Sequence, residues 1–347
     1  MKSKSIDGKN NSIIVGLTYD IASDYALTSG DPPDKYSEFD NITIVRGIKK
    51  SLETGGYTIY DIGNFSKLLR NIETVKNTVD IVFNTAEGLS GRNREAQIPL
   101  ILEYYGIPYL GSDALTMSLT LDKVITKKIL IADGIPTPKY FVTSTPLKSD
   151  TIPGFQFPLI VKPQWEGSSK GMTAKSKVAN LGQLNEQITL VTSQYHQPAL
   201  VEEFIVGREC TVAVIGNGDS ARAFPVVEIL IRKKSVNDKI FVGRYVYSND
   251  VQYRCPADLP PKLAQTVTQY ALKTYRAVGC KDFGRIDFRI DNNNTPYVLE
   301  INPLPALSKQ DAFGTIAQSL SITYTDIIQQ ILHTALVRYR TELKSNT

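Results

Sequence analysis

The stretch Cys280–Pro303, CKDFGRIDFRIDNNNTPYVLEINP, concentrates residue types that can hold a hard cation. GRIDFRI alternates, with Arg285, Asp287 and Arg289 on one strand face and Ile286, Phe288 and Ile290 on the other. YVLEIN also alternates, setting Val298, Glu300 and Asn302 against Tyr297, Leu299 and Ile301. Between them, Asp291 to Pro296 (DNNNTP) is turn chemistry. A turn symmetric about Asn293–Asn294 places Asp287 opposite Glu300 and Arg285 opposite Asn302. Opposed side chains have Cβ atoms roughly 4.5–5.5 Å apart, and like charges there repel. Two carboxylates and an amide so arranged call for a cation, and oxygen donors favour Mg²⁺ or Mn²⁺. The plainer alternative is a solvated polar face whose charge Arg285 partly neutralises.

Two further stretches bear on a nucleotide. FPLIVK, 157–162, reads as a strand ending in Lys162, followed by Pro163 and the loop QWEGSSKGM at 164–172. Gly167 and Gly171 allow close backbone approach, and Ser168 and Ser169 add hydroxyl donors. A buried Lys162 needs an anion, and a phosphate suits it; an ordinary Gly-Ser loop is the competing reading. ALVEEFIV, 199–206, is a strand whose adjacent Glu202 and Glu203 must point to opposite faces. It reads either as an edge strand with one charge in water or as a hinge bordering an adenine, with Glu209 reaching a ribose. Spacing alone leaves that choice open.

The elements that must position these residues alternate along the first third of the chain. Strands are expected at 12–18, 57–62, 79–84 and 107–110, with helices near 41–54, 65–76 and 100–105, so the sheet should be parallel. A long polar loop spans 19–40, helices run from about 112 to 133, and Tyr140–Thr143 reads as a strand. No G-x-G-x-x-G follows the first strand. Three domains are expected: 1–111, an N-terminal parallel-sheet unit; 112–206, a central unit with the Gly-Ser loop; and 207–347, a C-terminal unit with the metal hairpin.

Composition narrows the chemistry. The chain has 347 residues, 42% hydrophobic and 21% charged, as in an ordinary globular protein. No apolar run nears the roughly 20 residues that span a bilayer, and the polar start MKSKSIDGKNNS lacks the core of an export signal. A net charge of +4 with scattered basic residues argues against nucleic acid. Three widely spaced cysteines read as inert thiols of a reducing compartment, the cytoplasm. With only two histidines, His196 and His333, histidine-ligated zinc and Ser-His-Asp hydrolysis are nearly excluded.

Taken in order, Leu121-Asp122-Lys123, Ile160–Pro163, Glu166–Met172, Tyr253-x-Cys255-Pro256-Ala257, Gly284–Asp287 and Glu300-x-Asn302 resemble the D-alanine–D-alanine ligases, which are ATP-grasp enzymes. The similarity runs from about Val79 to Asn302, and as a set the motifs are highly specific. The resemblance implies an α/β (α+β) ATP-grasp fold: a Rossmann-like preATP-grasp domain, then two α+β subdomains sandwiching ATP. It implies Lys123 and Lys162 on the α- and β-phosphates, Ser168 and Ser169 over them, and Glu202, Glu203, Phe204 and Ile205 around the adenine. Glu209 would take the ribose, and Asp287, Glu300 and Asn302 two Mg²⁺ ions. Arg285 would stabilise the acyl phosphate and the tetrahedral intermediate, Ser168 and Tyr245 would close the site, and Arg244 stands where a lid lysine is usual. A homodimer is implied as well.

The chain departs from the family's pattern where amino acids should bind. No Gly-Gly-x-Ser-x-Glu follows Leu17, and Glu38 is the candidate for holding the first substrate's ammonium. The usual His-Gly segment is Asn84-Thr85-Ala86-Glu87-Gly88, and Pro303 to Leu307 replaces Thr-Ser-Pro-Gly-Met, with Asp311 near a serine position. A carboxylate there repels a second substrate's carboxylate; it attracts a cation or faces water. The expected activity is peptide or amide bond formation through an acyl phosphate, from substrates other than two D-alanines. A cell-wall D-alanine–D-alanine ligase is the alternative, and a phosphotransferase or nucleotide-binding module is a third reading.

Overall fold

A computed structural model describes residues 12–149, 152–231 and 251–345. Its first sheet is parallel, built from β1 (Ile14–Thr18), β2 (Thr58–Gly63), β3 (Ile81–Asn84) and β4 (Tyr109–Leu110) in the order β2-β1-β3-β4. β3 is buried along its whole length, as a parallel strand covered on both faces must be. Between these strands run α1 (Ile42–Thr54), α2 (Phe65–Arg70), α3 (Ile72–Thr78) and α4 (Gln97–Tyr105). Asn41 caps α1 through the Thr43 N–H, and Val45, Ile48 and Leu52 form its buried stripe. The single helix expected near 65–76 is two. The break falls at Asn71, whose side-chain amide donates to the Lys67 carbonyl and competes with helical bonding.

α5 (Ala114–Leu121) and α6 (Lys123–Ala132) lead to the second sheet. That sheet is antiparallel and ordered β5-β8-β6-β7, from β5 (Tyr140–Thr143), β6 (Leu159–Pro163), β7 (Lys177–Val178) and β8 (Ala199–Glu203), with α7 (Leu181–Gln194) against it. β8 is interior, hydrogen-bonded on both sides, which corrects the edge-strand alternative.

The third sheet runs β12-β11-β9-β13-β14, with β10 pairing β9. Its strands are β9 (Gly207–Ile215), β10 (Arg222–Ala223), β11 (Val227–Ile231), β12 (Val251–Arg254), β13 (Phe283–Asp291) and β14 (Pro296–Asn302). α8 (Pro261–Ala277) packs on one face, burying Leu263, Val267, Ala271 and Tyr275. α9 (Ala312–Ser319) and α10 (Tyr324–Ser345) turn back towards the first sheet. Ile327, Ile328 and Ile331 of α10 share one core with Val15, Ile48 and Phe83, and with Ala213 and Phe283 of the third sheet. Among the described residues, no helix is long and apolar enough to cross a membrane.

Candidate active site

The hairpin β13–β14 has the expected register where chemistry is possible: Arg285 faces Asn302 and Asp287 faces Glu300. It reaches that register by an unexpected route. The turn is centred on Asn293, closed by Asp291 N–H donating to the Thr295 carbonyl, and a bulge next to Asp287 restores the offset. Phe288 therefore pairs with Val298, and Leu299 is the extra residue. This corrects the alternation expected for YVLEIN. Val298 is fully buried with Ile286 and Phe288, whereas Leu299 joins Glu300 in lining the cavity.

Asp287 is the hub of this surface. It accepts from Arg285 Nε at 3.0 Å and Nη2 at 2.9 Å, from Thr211 Oγ1 at 2.6 Å and from Asn302 Nδ2 at 3.0 Å. Glu300 lies 3.4 Å from the Lys123 ammonium. The set fits a hard cation by its donor chemistry: two carboxylates and an amide meet at a cavity wall, their charge now balanced by Arg285 and Lys123. No three His, Cys, Asp or Glu side chains among the described residues could hold a metal ion on their own.

The lysine-bearing wall of the cavity follows from local capping. Asp122 is fully buried, caps α6 through the Val124 and Ile125 N–H groups and accepts from Gln164 Nε2. It thereby sets Lys123 at the first helical position, where the ammonium donates to the Glu166 carbonyl. Gly171, with φ +77°, bends the loop back beside Pro163. Lys162 is buried at the end of β6, and its partner is Glu202, 2.7 Å away. Lys127 claims the same carboxylate at 3.0 Å. Burial pushes the Lys127 ammonium down to about 8, whereas for Lys162 the attraction of Glu202 and Glu300 outweighs burial and raises it. Two buried ammonium groups thus share one buried carboxylate, leaving positive charge facing the cavity.

Glu203 turns to the other face of β8, towards Lys139 at 3.5 Å. Phe204 lies under the Lys177 ammonium and the Arg289 guanidinium, 4.5 and 4.8 Å from its ring centre. Arg289 also donates to the Ile205 carbonyl and pairs with Glu209 at 3.0 Å. Burial raises the Glu209 carboxyl despite that partner.

The far end of the cavity is acidic. Glu38 is buried with both oxygens engaged: Oε1 by Arg94 at 2.6 Å and Gly167 N–H at 2.5 Å, and Oε2 by Lys170 at 3.0 Å. Burial would raise it, but Arg94 and Lys170 hold it at about 2. Glu166 pairs with the same two cations. Asp40, Glu87 and Glu95 also line the cavity. Burial lifts Asp40 and Glu95 to about 7 and Glu87 well above the usual carboxylate range. Asp311 does not face water: it is 6% exposed, caps α9 through the Phe313 N–H, and is raised by burial to about 7 against the pull of Arg285.

Sixteen residues carried a sequence-based site role. Tyr245 and Arg244 lie outside the described residues, and the other fourteen all line this one cavity. Lys127, Arg94, Lys170, Asp40 and Glu95 were missed. Lys170 sits unassigned within the Gly-Ser loop, and the others sit in helices or polar loops whose pattern carries no chemical signal, although the run Arg92-Asn93-Arg94-Glu95 is a dense charge cluster beside the altered Asn84–Gly88 segment.

Residues 129–333 match the family model described as the D-ala D-ala ligase C-terminus. An uncharacterized protein of Sinorhizobium fredii is 36% identical over 262 residues, covering 76% of each chain. A D-alanine–D-alanine ligase of Bordetella petrii is 34% identical over 268 residues, covering 77% of this chain and 79% of that one. The crystal structure of a D-alanine–D-alanine ligase from Bacillus anthracis complexed with ATP superposes with a TM-score of 0.72 at 23% identity, covering 96% and 99% of the two chains.

Proposed function

Because the chain belongs to the D-alanine–D-alanine ligase family, we propose that it joins two amino acids, or a small acid and an amine, that are not both D-alanine. It is an ATP-dependent ligase of the ATP-grasp fold that forms an amide bond. In this reading a substrate carboxylate oxygen attacks the γ-phosphorus of ATP, the bond to the β-phosphate oxygen breaks, and acyl phosphate and ADP result. An amine then attacks the acyl carbon, phosphate departs with the bonding electrons, and the nitrogen loses a proton.

Lys123 and Lys162 hold the phosphates, Ser168 and Ser169 close over them, and Glu202 to Ile205 border the base, with Glu209 at the ribose. Arg285, poised at the cavity wall by Asp287, faces the charge that develops on the acyl oxygen. Asp287, Glu300 and Asn302 would hold two Mg²⁺ ions, which when bound neutralise phosphate charge. Cytoplasmic location and a homodimer, both implied by the resemblance, belong to the same proposal.

One observation carries the altered specificity. The far end of the cavity is lined by six carboxylates, Glu38, Asp40, Glu87, Glu95, Glu166 and Asp311. The second reading, a cell-wall D-alanine–D-alanine ligase, draws on the name of the Bordetella relative. ADP release and product mass, measured across amino acid pairs, separate the two. Amide formation from mixed or non-alanine pairs is expected. Efficient turnover of D-alanine alone overturns the altered specificity, and ADP release without any amide overturns the ligase reading.

A further inference from the structure

We propose that the acidic end of the cavity takes a diamino acid, with Asp40, Glu87 and Glu95 sharing its two cationic nitrogens. The inference rests on the ligase reading and names the substrate class of the same site.

Three of the six carboxylates are already satisfied within the protein. Glu38 and Glu166 are neutralised by Arg94 and Lys170. Asp311 is held by the Ser308 and Phe313 N–H groups. The remaining three form no ion pair with any described residue, and Glu87 and Glu95 make no side-chain hydrogen bond there. Glu95 is only 7% exposed, yet it lines the cavity. Asp40 touches the Thr85 hydroxyl, but its Oδ2 is buried without a partner.

Burying unpaired carboxylates costs free energy unless a ligand satisfies them. Their raised proton affinity is the expected response of an acid awaiting a cation. A single α-ammonium has three N–H donors. It cannot serve the five open oxygens of three carboxyl groups, whereas two ammonium groups, or one and a guanidinium, can. A bare metal ion fits worse, since no three acidic side chains among the described residues converge on a metal position.

The placement suits a reactant. Glu95 lies within electrostatic reach of Lys123, and Asp40 within reach of Asp311, which in turn faces Arg285. The cluster is therefore coupled electrostatically to the phosphate lysine and, through Asp311, to the arginine of the acyl-transfer step.

The test compares matched pairs differing only in the second amine: ornithine with norvaline, and 2,4-diaminobutyrate with 2-aminobutyrate. Each is used as both enantiomers with Mg-ATP, alone and mixed with alanine, and is scored by ADP and by amide mass. The diamino member is expected to show kcat/KM at least tenfold higher. Glu95→Gln and Glu87→Gln should narrow that ratio at least threefold by raising the diamino acid's KM, leaving the KM for ATP within twofold. Equal or better use of the neutral isosteres, or a ratio the variants leave unchanged, overturns the inference while the amide product upholds the ligase. If no acid is turned over, the ligase reading fails by itself. Calorimetry with ornithine and norvaline beside a non-hydrolysable ATP analogue then decides: tenfold tighter ornithine binding supports the cation site, and equal or absent binding overturns it.

Discussion

The two ends of one cavity solve opposite electrostatic problems. At the lysine-rich end, which the proposed function gives to the nucleotide, Lys127 and Lys162 crowd a single carboxylate, Glu202, and Lys123 stands nearby with Glu300. At the far end, carboxylates outnumber cations: Arg94 and Lys170 serve Glu38 and Glu166, and nothing among the described residues pairs with Glu87 or Glu95. In the proposed reading each end is left unbalanced in the sense its ligand would correct, the first by phosphates and the second by a cationic substrate. Buried charge of one sign is costly in either place, so the imbalance marks where a ligand completes the protein.

Three changes probe the contrast. Glu202→Gln should have the largest effect, because it strips the shared partner from two buried ammonium groups. A loss of roughly 3–5 kcal/mol in the ligand-free protein is expected, read by denaturant unfolding. A non-hydrolysable ATP analogue should recover part of it, and a loss insensitive to nucleotide would show that the cation excess is not nucleotide-directed.

Arg285→Ala ranks next. It should lower kcat for amide formation by about 10²-fold, with nucleotide affinity, followed by fluorescence titration, nearly unchanged. Weaker nucleotide binding at constant kcat would move Arg285 from acyl transfer to phosphate binding.

The smallest effect is in pH dependence. Asp40, Glu95 and Asp311 have folded-state values raised to about 7. Their contribution to stability is therefore complete below the ordinary carboxylate range and lost as pH rises through about 7. Glu38, held at about 2, adds stability that is lost only in strong acid. Glu38, Glu87, Arg94, Lys123 and Lys170 also face the Glu95 carboxyl. The melting temperature of the ligand-free protein should fall by a few degrees from pH 5.5 to pH 8. Glu95→Gln, which cannot ionise, should flatten that slope by on the order of 1–2 kcal/mol at the upper end. A slope that rises with pH would remove the acid-rich end from the comparison.

The pairing within the hairpin was legible in the sequence alone, for a physical reason. Its residues lie on strands and tight turns, where a period of two and a short loop fix which side chains meet. Asp287, Glu300, Arg285 and Asn302 could be paired across a hairpin without any structure. Even there the bulge at Leu299 was invisible, because a one-residue offset at the turn and a compensating bulge leave no local signature.

The far end was decided by tertiary structure. Glu38 and Asp40 come from a long loop, Glu87 and Glu95 from the polar segment after β3, Lys170 from the Gly-Ser loop and Asp311 from the cap of α9. No periodicity relates them. They meet only when the first and third sheets close on a common core and bring these loops around one cavity. Residue type and spacing determined which carboxylates and amide meet on the hairpin, and only the packing of distant loops showed which acids stand without an ion pair among the described residues.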